Sequence, residues 1–406
     1  MMPSRLRAIA EAPLFSAGFR PFFLLGAFYA GLSVLVWIPA FHGRLAIASS
    51  FVPRDWHIHE MLYGYLSAVV TGFLFTAIPN WTGRLPIRGL PLLGLVLLWI
   101  AGRVAVTFSA HIGWLAAMLV DASFLLLVVI AAAREIAAGK NWRNLPVVGI
   151  VGCLLFGDIA FHLEARHVVM ADISIRIGVA VVVLLISLIG GRVIPSFTRN
   201  WLVRENPGRL PVPFARFDKM VIVLSAAALL LWIADPAGAV TAGFLAIVGV
   251  LHIVRLARWA GDRTTREGLL LILHIGYAFV PAGFLLTAAS WSNLTTPSAG
   301  LHAWMGGAAG VMTLAVMSRA SLGHTGQALH ASRGTLAIYV AIIVAALARV
   351  CAALVPDHML PLLHTAALAW ALAFIGFAIA YAPLLIGYRK TRGERVVATA
   401  RPSAPN

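Results

Sequence analysis

Charge is what this sequence has least of. Only 11% of its 406 residues are Asp, Glu, Lys or Arg, against about 25% in a soluble chain. Acidic residues are the scarcer sign, 15 against 31 basic ones. Such a composition excludes an ordinary water-solvated surface. There are two cysteines, Cys153 and Cys351, each inside an apolar run. That excludes a disulfide framework and a thiolate metal cluster, and both are expected as packed thiols. A phosphate loop, a dinucleotide fingerprint, a zinc-protease motif and a nucleophile elbow are also missing. The basic N-terminus, with Arg5 and Arg7, lacks a small-residue cleavage site after a short apolar core. The first apolar run is therefore expected to stay as a helix and not to be removed as a signal peptide.

What is present is hydrophobic length. Apolar runs of about twenty residues recur along the chain, the length that spans a bilayer. The pattern predicts an all-α polytopic membrane protein, a single transmembrane domain over 1–406. Twelve helices are expected, at 21–41, 59–79, 90–109, 112–134, 145–164, 173–195, 219–235, 237–257, 268–290, 300–319, 334–354 and 361–388. Between them, one set of loops and the termini hold 24 Lys and Arg, and the opposite loops hold 3. The basic side faces the cytoplasm, so both termini are expected there. The same alternation explains the net charge of +16 without nucleic acid. In this orientation nine of the thirteen histidines lie towards the outer face, which directs the search for a site there.

The stretch Arg54–Arg84 carries the strongest signal. His57, His59 and Glu60 stand at the mouth of helix 2, where nitrogen and oxygen ligands are costly to bury without a partner. His57 and His59 lie about 200° apart on a helix, so both cannot face one metal if both are helical. One is expected in the preceding loop, or at a second metal. Glu60 is placed to orient an imidazole by accepting its distal N–H.

Three helix ends echo one another: Ile78-Pro79-Asn80-Trp81-Thr82 in helix 2, Ile194-Pro195-Ser196-Phe197-Thr198 in helix 6, and Gly323-His324-Thr325-Gly326 after helix 10. His59 precedes Thr82 by the same 23 residues as His302 precedes Thr325. The similarity predicts three units of four helices, 18–134, 145–257 and 268–388. Helices 2, 6 and 10 are then equivalent, and His59 and His302 stand at one depth. Two imidazoles facing each other across a bundle suit the axial positions of a haem.

Other candidates follow from burial cost. His274 and His324, with His330 and Arg319, suggest a second, inner polar or metal site. Arg103 and Arg349 lie inside helices and need an anionic partner. Haem propionates would serve, as would Asp121 or Asp158; plain ion pairing between helices is the simpler alternative. The run Met305–Gly310 is glycine-rich and marks close helix packing.

The assembled motifs resemble the NnrS family of bacterial inner-membrane proteins. The resemblance rests on Gly18-Phe19-Arg20-Pro21-Phe22-Phe23, His57-Ile58-His59-Glu60-Met61, Pro79-Asn80-Trp81-Thr82-Gly83 and Leu98-Trp99 through Arg103. It continues through Gly191-Arg192-Val193-Ile194-Pro195-Ser196-Phe197-Thr198 and Val316-Met317-Ser318-Arg319-Ala320 to Gly323-His324-Thr325-Gly326. It departs at Gln327, where an arginine is expected. The resemblance implies a haem- and copper-containing protein linked to nitric oxide metabolism, denitrification and resistance to nitrosative stress. The haem is expected to be b-type, and the copper ligands are open among His57, His162, His364, His274 and His324. More distantly, the chain is similar to subunit I of haem–copper oxidases and nitric oxide reductases, with twelve helices and haem ligands on helices 2 and 10. It departs there too: helices 6 and 7 hold no histidine, so the three-histidine copper site of those enzymes is not expected. Two other readings stay open. A secondary transporter fits twelve helices and midplane polar residues such as Asp121. A quinol-linked oxidoreductase fits an outer haem fed from the membrane pool.

Overall fold

The structure, a computed structural model, describes residues 4–167 and 171–387. The last residue of predicted helix 12 and the basic tail beyond it lie outside the described residues. Among the described residues twelve helices are long and apolar enough to cross a membrane: α1 Phe19–Phe41, α2 Pro53–Thr82, α3 Leu90–Thr107, α4 Trp114–Ala138, α5 Trp142–His167 and α6 Ile173–Glu205. The second half holds α7 Arg216–Ala234, α8 Ala239–Arg263, α9 Gly268–Ser292, α10 Pro297–His324, α11 Arg333–Leu354 and α12 Pro356–Ile386. No strand occurs among the described residues. The protein is a multi-pass helical membrane protein, as its composition requires.

Each helix packs on the next, and α12 returns to α1. Inside this ring α2, α6 and α10 touch one another. They are the most buried helices, with 72%, 67% and 67% of their most apolar stretch covered. For α10 the sequence explains this: it is rich in glycine and alanine, which let backbones approach closely.

Three boundaries differ from those expected. Helix α2 begins at Pro53, not at 59, so His57 and His59 are both helical and neither is in a loop. Pro53 occupies a first-turn position, where its missing N–H is no loss. Helix α6 runs on through Pro195 to Glu205, and α10 runs on to His324. A proline is tolerated within a membrane helix when neighbouring helices hold the freed backbone. The cysteines also differ from expectation. Cys153 and Cys351 are both free and exposed, not packed. In a lipid-facing position a thiol is simply another small apolar side chain.

The Gly-Phe-Arg motif before α1 has a structural role. Arg20 is buried and its guanidinium donates to the carbonyls of Leu385 at 2.9 Å and Gly387 at 2.7 Å. These are the orphan carbonyls that end α12. Gly18 lies so close to Phe75 of α2 that an added Cβ would meet the phenylalanine Cβ at 2.7 Å.

Candidate cofactor sites

Two sites lie on opposite sides of α2 near its start. The helix is α-helical over Pro53–His59, widens into a π-helical stretch over Glu60–Tyr65, and returns to α at Leu66. Helix α10 does the same, with Pro297–His302, a π stretch over Ala303–Ala309, and α from Gly310. In both helices the π stretch opens immediately after a histidine. Such stretches re-aim side chains and are frequent at functional sites.

The first site is a cavity between α1, α2, α6, α10, α11 and α12. His57, His302 and Arg349 supply its polar lining, and Val34, Ile58, Met61, Leu66 and Trp370 are among its apolar walls. The His57 ring stacks on Trp37, with centroids 4.1 Å apart and planes 21° apart. Its buried Nδ1 has no hydrogen-bond partner. His302 Nδ1 donates to the Ser298 carbonyl at 2.7 Å, which fixes the tautomer and leaves Nε2 free to bind a metal. Arg349 forms no ion pair among the described residues. Two imidazoles and an unpaired guanidinium around an apolar slot fit a haem: ligands for iron, a cation for a propionate, and walls for the macrocycle.

The second site is fully buried. His59 Nε2 lies 3.0 Å from Asp158 Oδ1 and 3.1 Å from Asp121 Oδ2. His162 Nε2 lies 3.2 Å from the same Asp121 oxygen. One ligand atom from each of the four residues falls within 4.8 Å of every other. Phe51, Tyr63 and Phe161 close around the His59 ring, with centroids 5.2 to 5.5 Å away.

Behind this cluster stands a supporting ion network. Arg103 donates to Glu60 Oε2 at 2.6 Å and also to Asp121 Oδ1. Tyr29 donates to the same Glu60 oxygen at 2.5 Å. The Arg103 guanidinium passes so close to Gly64 that a Cβ there would also meet Glu60 Oε2 at 2.6 Å. Glu60 Oε1 faces His59 Nδ1 at 3.4 Å, too long for a full hydrogen bond, and neither atom has another partner. Glu60, Asp121 and Asp158 bring three negative charges, and Arg103 returns one positive charge. With neutral imidazoles the remainder is two negative charges in a water-poor interior, which is costly. A divalent cation would balance it. Two imidazole nitrogens and two carboxylate oxygens suit Zn(II), Fe(II), Mn(II) or Cu(II), and there is no sulfur ligand of the kind that favours Cu(I).

The structure thus sorts the expected residues differently from the sequence. His59 and His302 are not brought together; His302 shares its cavity with His57, and His59 belongs to the Asp121–Asp158–His162 cluster. The cause is geometric: with α2 starting at Pro53, both histidines are helical and face opposite ways. Arg103 pairs with Glu60 and Asp121, the interhelical alternative to a propionate, whereas Arg349 lines the slot with His57 and His302. His274 and His324 form no shared ligand cluster among the described residues. His274 Nδ1 donates to the Leu270 carbonyl at 3.0 Å, His324 rings with Phe19, and His330 meets Glu267 at 3.0 Å. His364 faces His42 at 2.9 Å on the surface. Sequence reasoning also passed over a buried network in α6 to α9. There His252 bonds Ser225 and Tyr277, and Arg255 bonds Tyr277 and Asp218. Its groups largely satisfy one another, which is the mark of a structural device.

The molecule is a membrane protein with an imidazole-lined slot and a buried His/Asp cluster whose ligand atoms could hold a metal ion. The profile described as NnrS protein matches residues 13–389. The chain belongs to the NnrS family, membrane proteins associated with nitric oxide. No curated protein matches it significantly.

Proposed function

We propose that the protein is a haem- and metal-binding membrane protein of nitric oxide metabolism. The observation that carries this reading is the convergence of His57, His302 and Arg349 on one apolar cavity, with no carboxylate partner for Arg349 among the described residues. His57 and His302 would hold a b-type haem, and Arg349 would receive a propionate. A haem supplies a redox-active iron that binds nitric oxide where one axial position is labile. Around it this chain contributes the stacked Trp37 that fixes His57, the Ser298 carbonyl that fixes His302, and walls that exclude water. A divalent transition metal, copper in its oxidised state included, would sit among His59, Asp121, Asp158 and His162. Arg103 and Glu60 position that cluster from behind.

The wider architecture is read in the same way. The mutual contact of α2, α6 and α10 and the return of α12 to α1 support three four-helix units around one axis, distantly like subunit I of haem–copper oxidases. The paired π stretches after His59 and His302 support equivalence of α2 and α10. The uneven Lys and Arg distribution supports an inner-membrane protein with both termini in the cytoplasm.

Purification in mild detergent, followed by a pyridine haemochrome assay and elemental analysis, tests the reading. About one b-type haem and one divalent transition metal per chain are expected. A colourless protein after haem-supplemented expression overturns it.

A further inference from the structure

The three repeated helix ends meet at a second cavity, of about 460 Å³, at the inner ends of α2, α6 and α10. They meet in register. Six residues before Thr82, Thr198 and Thr325 stand Thr76, Arg192 and Arg319, and all three line this cavity. So do the next residues along, Ala77, Val193 and Ala320, and the residues just before the three threonines, Trp81, Phe197 and His324. Matching positions on three helices therefore form successive layers around one space. Neither the haem slot nor the His/Asp cluster gives these motifs a role.

The cavity is basic. No Asp or Glu lines it, and neither Arg192 nor Arg319 forms an ion pair among the described residues. Glu267 is within electrostatic reach of Arg319, but its oxygens are taken by the N–H groups of Leu269 and Ala331 and by His330. Arg319 is held with its guanidinium 4.1 Å from the Phe197 ring centroid, and Arg192 lies 5.5 Å from that of Phe214. Thr76 has its hydroxyl proton committed to the Gly72 carbonyl, so the charge in the layer is that of the two arginines. Two guanidiniums in a space partly shielded from water favour an oxyanion, and their forked donors match phosphate. The rest of the wall is mostly aromatic and aliphatic, including Phe23, Phe73 and Leu273. The space exceeds what a bare phosphate fills.

We propose that this inner cavity binds a phosphate group carried on an apolar body, with Arg192 and Arg319 holding the phosphate oxygens. The source is either an inner-leaflet phospholipid or a soluble organic phosphate. The proposal is independent of the haem reading, since it uses none of the same residues.

Native mass spectrometry of the full-length protein in mild detergent, with phosphatidylglycerol as probe, separates these sources from each other and from failure. For a lipid, the wild type retains bound phosphatidylglycerol, and Arg192→Gln with Arg319→Gln weakens retention about tenfold or more. For a soluble ligand, lipid retention is the same in both proteins. Phenyl phosphate then quenches a Trp81 signal, identified by Trp81→Phe, in the wild type and not in the double variant. Arg→Lys at both positions restores part of the binding, because the charge remains and the fork does not. If the double variant does not assemble, Ala320→Trp keeps both arginines and fills the space, and it should displace the ligand. Equal retention in all variants, with no phosphate-dependent signal, overturns the proposal.

Discussion

His57 and His59 stand two residues apart on one helix and serve two different sites. His57 stacks on Trp37 and shares its cavity with His302, while His59 turns to Asp121, Asp158 and His162. The separation of about 200° that a helix imposes on such a pair makes α2 the wall between an apolar, imidazole-lined slot and a buried His/Asp cluster. Cofactors on the two sides would be neighbours across a single helix.

The buried cluster should bind its metal through the aspartates. Asp158→Asn removes the negative charge of the carboxylate whose Oδ1 lies 3.0 Å from His59 Nε2. The purified variant should hold less than about a tenth of the wild-type divalent metal, as even an outer partner of a metal ligand is worth 10–100-fold in affinity. Elemental analysis reads this directly. Haem content should not change. Unchanged metal content would mean that His59, Asp121, Asp158 and His162 simply pair with one another.

Arg103 should matter chiefly for stability. It is the cation between Glu60 and Asp121, so Arg103→Gln leaves two buried carboxylates short of a partner. Removing one member of a buried pair costs about 3–5 kcal/mol. Thermal unfolding in detergent should show a clear loss, and Arg103→Gln combined with Glu60→Gln should recover part of it. A variant as stable as the wild type would show that the network is not closed as described.

Arg20 should lock the two ends of the chain together. Its guanidinium caps carbonyls at the end of α12, and charged hydrogen bonds of this kind contribute about 1.5–3 kcal/mol. Arg20→Ala should lower the thermal midpoint without altering metal or haem content. No change in the midpoint would remove this role from the N-terminal motif.

The helices were legible because their signal is long: twelve apolar runs and one alternation of basic loops. The importance of His57, His59, Glu60 and Arg103 was legible too, because each is polar in an apolar setting. Their grouping was not. It depended on where α2 starts, and Pro53, a good first-turn residue, was the overlooked signal. The π stretches after His59 and His302 leave no periodicity in the sequence that would reveal them. Asp121 comes from α4 and lies far in sequence from Asp158 and His162 of α5, whose i,i+4 spacing on one helix face is a sequence signal but does not point to Asp121 or His59. A further clue was that two aspartates lie in membrane helices at all, which from sequence alone suits a partner for an arginine or, for Asp121, a polar residue of a transporter equally well. Gly64 carries its meaning only in three dimensions, through its close approach to Arg103 and Glu60.

The most direct test of the central claim is the visible spectrum of the purified protein, oxidised and dithionite-reduced, for the wild type and for His57→Ala, His302→Ala and His59→Ala. The account predicts a b-type haem spectrum that is lost or shifted by His57→Ala and by His302→Ala. His59→Ala should retain that spectrum and lose the second metal. A haem spectrum that survives both His57→Ala and His302→Ala, or that His59→Ala abolishes while His57→Ala leaves it intact, would contradict the assignment of the cavity shared by His57 and His302.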